Sequence, residues 1–121
     1  MGWRTRGAGV LVGLFFSIGV MAHAMLDRAT PPVGSSVKAA PGRVELWFTE
    51  RLEPAFSNVK VLDAAGRQVD RGDSKVDSDD PEHLSVSLSA LPSGRYRVVW
   101  RVISVDTHVT EGDFTFEVAP Q

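Results

Sequence analysis

The sequence predicts an all-β protein: an antiparallel β-sandwich formed as a single small domain after a signal peptide. Three observations carry this. Short apolar/polar alternations recur along the chain, and turn residues separate them at intervals of about 8–12 residues. No stretch beyond residue 22 shows the apolar stripe of an amphipathic helix. The chain has 121 residues and no cysteine, so it holds no more than one ordinary domain, and its core must stand without disulfides.

The first 22 residues predict a secretory signal. Arg4 and Arg6 precede an apolar run through Val10, Leu11, Val12, Leu14, Phe15, Phe16 and Ile18, and Val20-Met21-Ala22 supplies a cleavage site after Ala22. A membrane anchor is the alternative, although the run is short for a span. Arg4-Thr5-Arg6 is no twin arginine, which points to export of the unfolded chain and a periplasmic mature domain of residues 23–121. Cleavage removes two arginines and takes the formal charge from −2 to −4. That mild acidity, with no basic patch, offers no electrostatic footprint for nucleic acid. Without cysteine, thiolate metal sites, dithiol redox motifs and thiol nucleophiles are excluded.

In the mature region, Thr30-Pro31-Pro32-Val33-Gly34-Ser35-Ser36 is turn chemistry. Residues 43–48 alternate, with Val44, Leu46 and Phe48 on one face, and predict a half-buried strand. A second strand is expected over 56–62, ending at the turn Asp63-Ala64-Ala65-Gly66. Residues 67–80, polar and acidic, predict an exposed loop with at most a short edge strand. Residues 83–88 alternate again, Leu84, Val86 and Leu88 inward, with His83 expected to face solvent. Leu91-Pro92-Ser93-Gly94 turns the chain into the longest strand, 95–104, where Tyr96, Val98, Trp100 and Val102 share a face. Residues 113–118 alternate to the end. The acidic run 73–82 lacks the spaced ligands and central glycine of a calcium loop. Trp47 faces away from Leu46 and Phe48, as either a cap on a metal region or a surface aromatic.

The chemistry concentrates where the longest strand ends, at Ser104-Val105-Asp106-Thr107-His108. In extended backbone, residues i and i+2 face the same side, so Asp106 and His108 can converge while Thr107 points away. A carboxylate oxygen and an imidazole nitrogen make half of a divalent transition-metal site. Ser, Asp and Thr also cluster in turns for hydrogen-bonding reasons alone. A cut after Ala22 would make His23 the first residue, able to chelate one ion through its α-amine and imidazole. Three nitrogens and one oxygen suit tetragonal Cu(II), which also tops the divalent affinity series. A cut after Ala24 would instead leave Met25 first and remove the chelating end. An N-terminal strand beside the one ending at Ser104 would bring residue 23 to residues 106 and 108.

These stretches together have a specific likeness. His23-Ala24-Met25-Leu26, Thr30-Pro31, Val44-Glu45-Leu46-Trp47-Phe48-Thr49-Glu50 and the run from Gly94 through Tyr96, Trp100 and Ser104 to Asp106-Thr107-His108 resemble the CopC family. These are small exported copper-binding proteins with an immunoglobulin-like, Greek-key sandwich fold. The resemblance implies Cu(II) ligation by His23, Asp106 and His108, with Glu50 as an outer carboxylate near the metal that could orient a ligand. It further implies a monomeric copper chaperone or buffer in copper resistance or uptake. An inner-membrane transporter of the CopD type is the partner it suggests. One departure stands out. Some family members carry a methionine-rich Cu(I) loop, but residues 67–82 contain no methionine, and Met25 is the only one left after cleavage. A copper-dependent oxidative enzyme with an N-terminal histidine chelate is the alternative function, and a metal-free adhesion or scaffold sandwich a third.

Overall fold

A computed structural model describes residues 24–121. The signal segment, its cleavage point and His23 lie outside the described residues.

Among the described residues eight strands form: β1 (Leu26–Thr30), β2 (Ser36–Val37), β3 (Arg43–Phe48), β4 (Asn58–Leu62), β5 (Lys75–Asp77), β6 (Asp80–Ser87), β7 (Gly94–Ile103) and β8 (Val109–Val118). They make two four-stranded sheets, ordered β1-β3-β6-β5 and β2-β8-β7-β4. The architecture is the expected immunoglobulin-like sandwich. One local departure is the two-residue β2, which pairs parallel to the end of β8.

Alternation fills the space between the sheets. Val44, Leu46 and Phe48 of β3 and Leu84 and Val86 of β6 meet Val59 and Val61 of β4, Tyr96, Val98, Trp100 and Val102 of β7, and Phe114, Phe116 and Val118 of β8. Aromatic edges interlock at the centre, with Phe48 edge-on to Trp100 at 6.0 Å between ring centroids. Trp100 is paired with Gly112 across β7 and β8. Its indole lies where a residue-112 side chain would stand: a Cβ there would meet Trp100 Cζ2 at 2.3 Å. The glycine thus makes room for the largest core ring.

Two expectations need correction. The N-terminal strand does not lie beside the long strand ending near Ser104. β1 pairs with β3 in the opposite sheet, because both edges of β7 are already taken by β4 and β8. The strand expected over 56–62 begins at Asn58, after a 3-10 turn at Pro54–Phe56; Pro54 lacks the donor a strand would need. Residues 67–80 are, as expected, largely exposed with one short edge strand, β5, and they also bond to both sheets. Val69 N–H donates to Val61 O at 2.8 Å, and Asp70 Oδ2 and Ser74 Oγ accept from Val61 N–H and Val59 N–H at 2.8 and 2.9 Å. Arg71 N–H reaches Ser87 O at 2.9 Å, and Asp73 Oδ1 accepts from Ser87 N–H at 2.8 Å. The acidic stretch therefore clasps the edge of one sheet to the other, supplying acceptors that an open strand edge would leave to chance.

Candidate metal centre

β7 and β8 are joined by the turn that carries the metal pair. Thr107 N–H donates to Ser104 O at 2.8 Å and Ser104 N–H to His108 O at 3.0 Å, closing the hairpin. Thr107 takes the left-handed conformation, φ 73°, which is unusual for a β-branched residue. That twist turns its neighbours Asp106 and His108 toward each other. His108 Nδ1 lies 3.3 Å from Asp106 Oδ1, with side chains 35% and 45% exposed. Donors each about 2.0 Å from one ion stand roughly 2.8 Å apart in a square plane and 3.3 Å apart in a tetrahedron. The observed separation equals the tetrahedral spacing, and a square plane would require the two atoms to close by about 0.5 Å. Among the described residues, no group of three or more His, Asp or Glu side chains is arranged to hold an ion. Asp106 and His108 are a pair that needs further donors.

The Ser104 hydroxyl donates a hydrogen bond to Asp106 Oδ1. That bond, and then His108, holds the Asp106 carboxyl below the usual carboxylate range. The carboxylate is thus charged and ready for a cation throughout the neutral range.

Residues 49–53 form a strap across this pole. At one end Thr49 N–H donates to Met25 O, and Met25 N–H to Thr49 Oγ1, both at 2.9 Å. At the other, Leu52 bridges Ser104, Glu53 N–H donates to Ile103 O at 2.8 Å and Val105 N–H to Arg51 O at 2.9 Å. Three residues of chain, at most roughly 11 Å, separate the two attachments. Glu50 sits between them, half-buried. The strap thus brings Met25, two residues beyond His23, to the Asp106–His108 turn by a route the sequence did not suggest.

His83 corrects another expectation. It is 8% exposed rather than solvent-facing. Its ring stacks on Trp47 at 4.6 Å and 14°, while Arg28 covers the other Trp47 face at 3.7 Å. His83 Nε2 is 3.2 Å from Glu45 Oε1, within ion-pair range but not aligned as a hydrogen bond, and Nδ1 is 3.5 Å from Asp77 Oδ2. Carboxylates on opposite ring nitrogens brace the imidazole and do not chelate with it. Trp47 accordingly belongs to the outer face of the sheet and not to the Asp106–His108 turn. Ser104 was legible only as part of the motif. No sequence signal marked its contact with Asp106, which depends on the turn made by left-handed Thr107.

The pole thus presents a carboxylate beside an imidazole on a small β-sandwich, two of the donor types a divalent ion takes. Comparisons with known proteins say which cation concerns this class. The CopC domain model matches residues 26–119. Protein YobA of Escherichia coli K12 is 37% identical over 100 residues, covering 82% of this chain and 81% of its own. Copper transport protein CutJ of Bacillus subtilis is 33% identical over 98 residues, 80% of this chain but 18% of its own length. The crystal structure of CopC from Methylosinus trichosporium OB3b superposes with a TM-score of 0.73 at 35% identity, covering 82% of this chain and 96% of that one. PcoC, described as a methionine-rich copper resistance protein from Escherichia coli, gives 0.69 at 35% identity, covering 80% and 99%. This chain belongs to the CopC family of copper resistance and transport proteins.

Proposed function

We propose that residues 1–22 are removed on export and that residues 23–121 form a periplasmic carrier for one Cu(II) ion. The ion is held by the α-amine and imidazole of His23, a carboxylate oxygen of Asp106 and an imidazole nitrogen of His108. Glu50, half-buried on the strap, is assigned the outer carboxylate that orients a ligand. The observation that carries this reading is the 3.3 Å Asp106–His108 pair on the turn that the strap ties to Met25. Three nitrogens and one oxygen favour Cu(II) over the softer Cu(I), as does the lack of methionine in residues 67–82. Cu(II) binding this way is inert storage or delivery, with no bond made or broken in the protein. A domain of this kind within the much longer CutJ supports delivery to a copper transporter, here a separate CopD-type membrane protein.

Intact mass of the exported protein with and without Cu(II) tests cleavage and stoichiometry together. A chain beginning at His23 and gaining one copper is expected. A chain beginning elsewhere, or a metal-free spectrum, overturns the proposal. Ascorbate and oxygen added to the loaded protein should produce no sustained peroxide; turnover would favour the oxidative enzyme instead.

A further inference from the structure

Ser104 is fully buried, at 0% exposure, yet it carries a hydroxyl, and a buried hydroxyl must find partners in the protein. All those it finds belong to the D-x-H turn. Its Oγ donates to Asp106 Oδ1, accepts from His108 N–H at 3.3 Å and lies 3.4 Å from His108 O. Its own backbone closes the hairpin on both sides, and it is bridged to Leu52 of the strap. One side chain thus touches both members of the pair from beneath, out of reach of solvent. Asp106, by contrast, is 45% exposed at its side chain and would otherwise be free to turn toward water.

We infer that Ser104 is the positioning residue of the metal centre: its hydroxyl locks the Asp106 carboxylate beside His108 before copper arrives. The inference rests on the copper reading above and assigns the site a part that the ligand set does not include. Prepaid ordering of a ligand raises affinity without adding a contact to the metal. Ser104 donates to the same oxygen, Oδ1, that lies 3.3 Å from His108 Nδ1; the bond holds the carboxylate in one rotamer and leaves the second lone pair of Oδ1 for the ion.

The test uses the mature protein with Ser104→Ala, and the volume-matched pair Ser104→Thr and Ser104→Val. Side-chain couplings of Asp106 in the metal-free protein should report one χ1 rotamer in the wild type and Ser104→Thr, and averaging in Ser104→Ala and Ser104→Val. Cu(II) affinity, by competition with a chelator of known strength, should fall about tenfold without the hydroxyl and recover with threonine. The electron paramagnetic resonance spectrum at saturating Cu(II) should shift toward that of Asp106→Asn in the same two variants. Thermal unfolding identifies any variant that fails to fold, and the threonine–valine difference separates loss of the hydroxyl from the effect of bulk. If His108→Ala abolishes binding while rotamer, affinity and spectrum are unchanged in Ser104→Ala, only the role of Ser104 falls. If His108→Ala binds as the wild type does, the copper reading falls and this inference with it.

Discussion

At the scale of single residues, the turn trades stability for geometry. Thr107 at φ 73° occupies a conformation that costs an L-residue with a Cβ roughly 1–2 kcal/mol. Thr107→Gly is expected to raise unfolding stability by about 1 kcal/mol, read as a higher urea midpoint, with little change in copper affinity. A lowered midpoint would show that the threonine is held by contacts rather than strained. Gly112 is the converse. A side chain there would overlap Trp100, so Gly112→Ala should cost about 1–3 kcal/mol as the core ring is displaced, visible as altered tryptophan emission. Replacing His108 with alanine should weaken Cu(II) binding by orders of magnitude with the fold intact, since the residue lies past the end of β7. The pair was legible as a motif, but not through the extended backbone expected for it: Asp106 and His108 lie in a turn and meet because Thr107 is left-handed. Ser104's contacts were not legible, because they depend on a left-handed residue three positions further on.

At the scale of elements, the strap and the clasp each do what no strand pattern announces. Thr49→Val removes the hydroxyl that accepts from Met25 N–H. It should loosen the start of the chain and weaken Cu(II) binding severalfold, while resonances of the 104–108 turn stay in place; movement of that turn instead would mean that the strap acts on the hairpin. In the clasp, Asp70→Ala leaves Val61 N–H without its acceptor and should cost about 1–2 kcal/mol. The strands of alternating character, β3, β6, β7 and β8, were legible because a period of two is a local property. β1 and β5 were legible only as edges: the pairing of β1 with β3 was not, because a strand's partner is set by which neighbouring edges are free. The burial of His83 also comes from a neighbour, since Trp47 reaches it across the sheet.

At the scale of the whole molecule, stability should depend on acid in a definite direction. The Ser87 hydroxyl and N–H hold Asp73 below the usual carboxylate range, and backbone N–H groups of Arg67 and Asp79 do the same for Asp63 and Asp77. A carboxyl depressed on folding stabilises fully above its unfolded value of about 3.9 and ceases to do so as pH falls through its folded value. The unfolding temperature should therefore be flat near neutrality and drop below about pH 4. Asp73→Asn should shallow that drop; an unaltered acid limb would remove the clasp carboxylate as its cause. The proposed preference for Cu(II) is likewise argued from composition. With no methionine in residues 67–82, Cu(I) titration of the mature protein should show no tight one-to-one binding.

β8 starts at the D-x-H turn and runs ten residues to Val118, roughly 30 Å of extended chain. Anything tethered beyond Gln121, such as a bead, an electrode or a fluorophore, therefore hangs from the end of the sandwich opposite Asp106 and His108. Immobilised that way, every molecule in a layer would present the same mouth outward, free to meet ions or an acceptor without being unhooked.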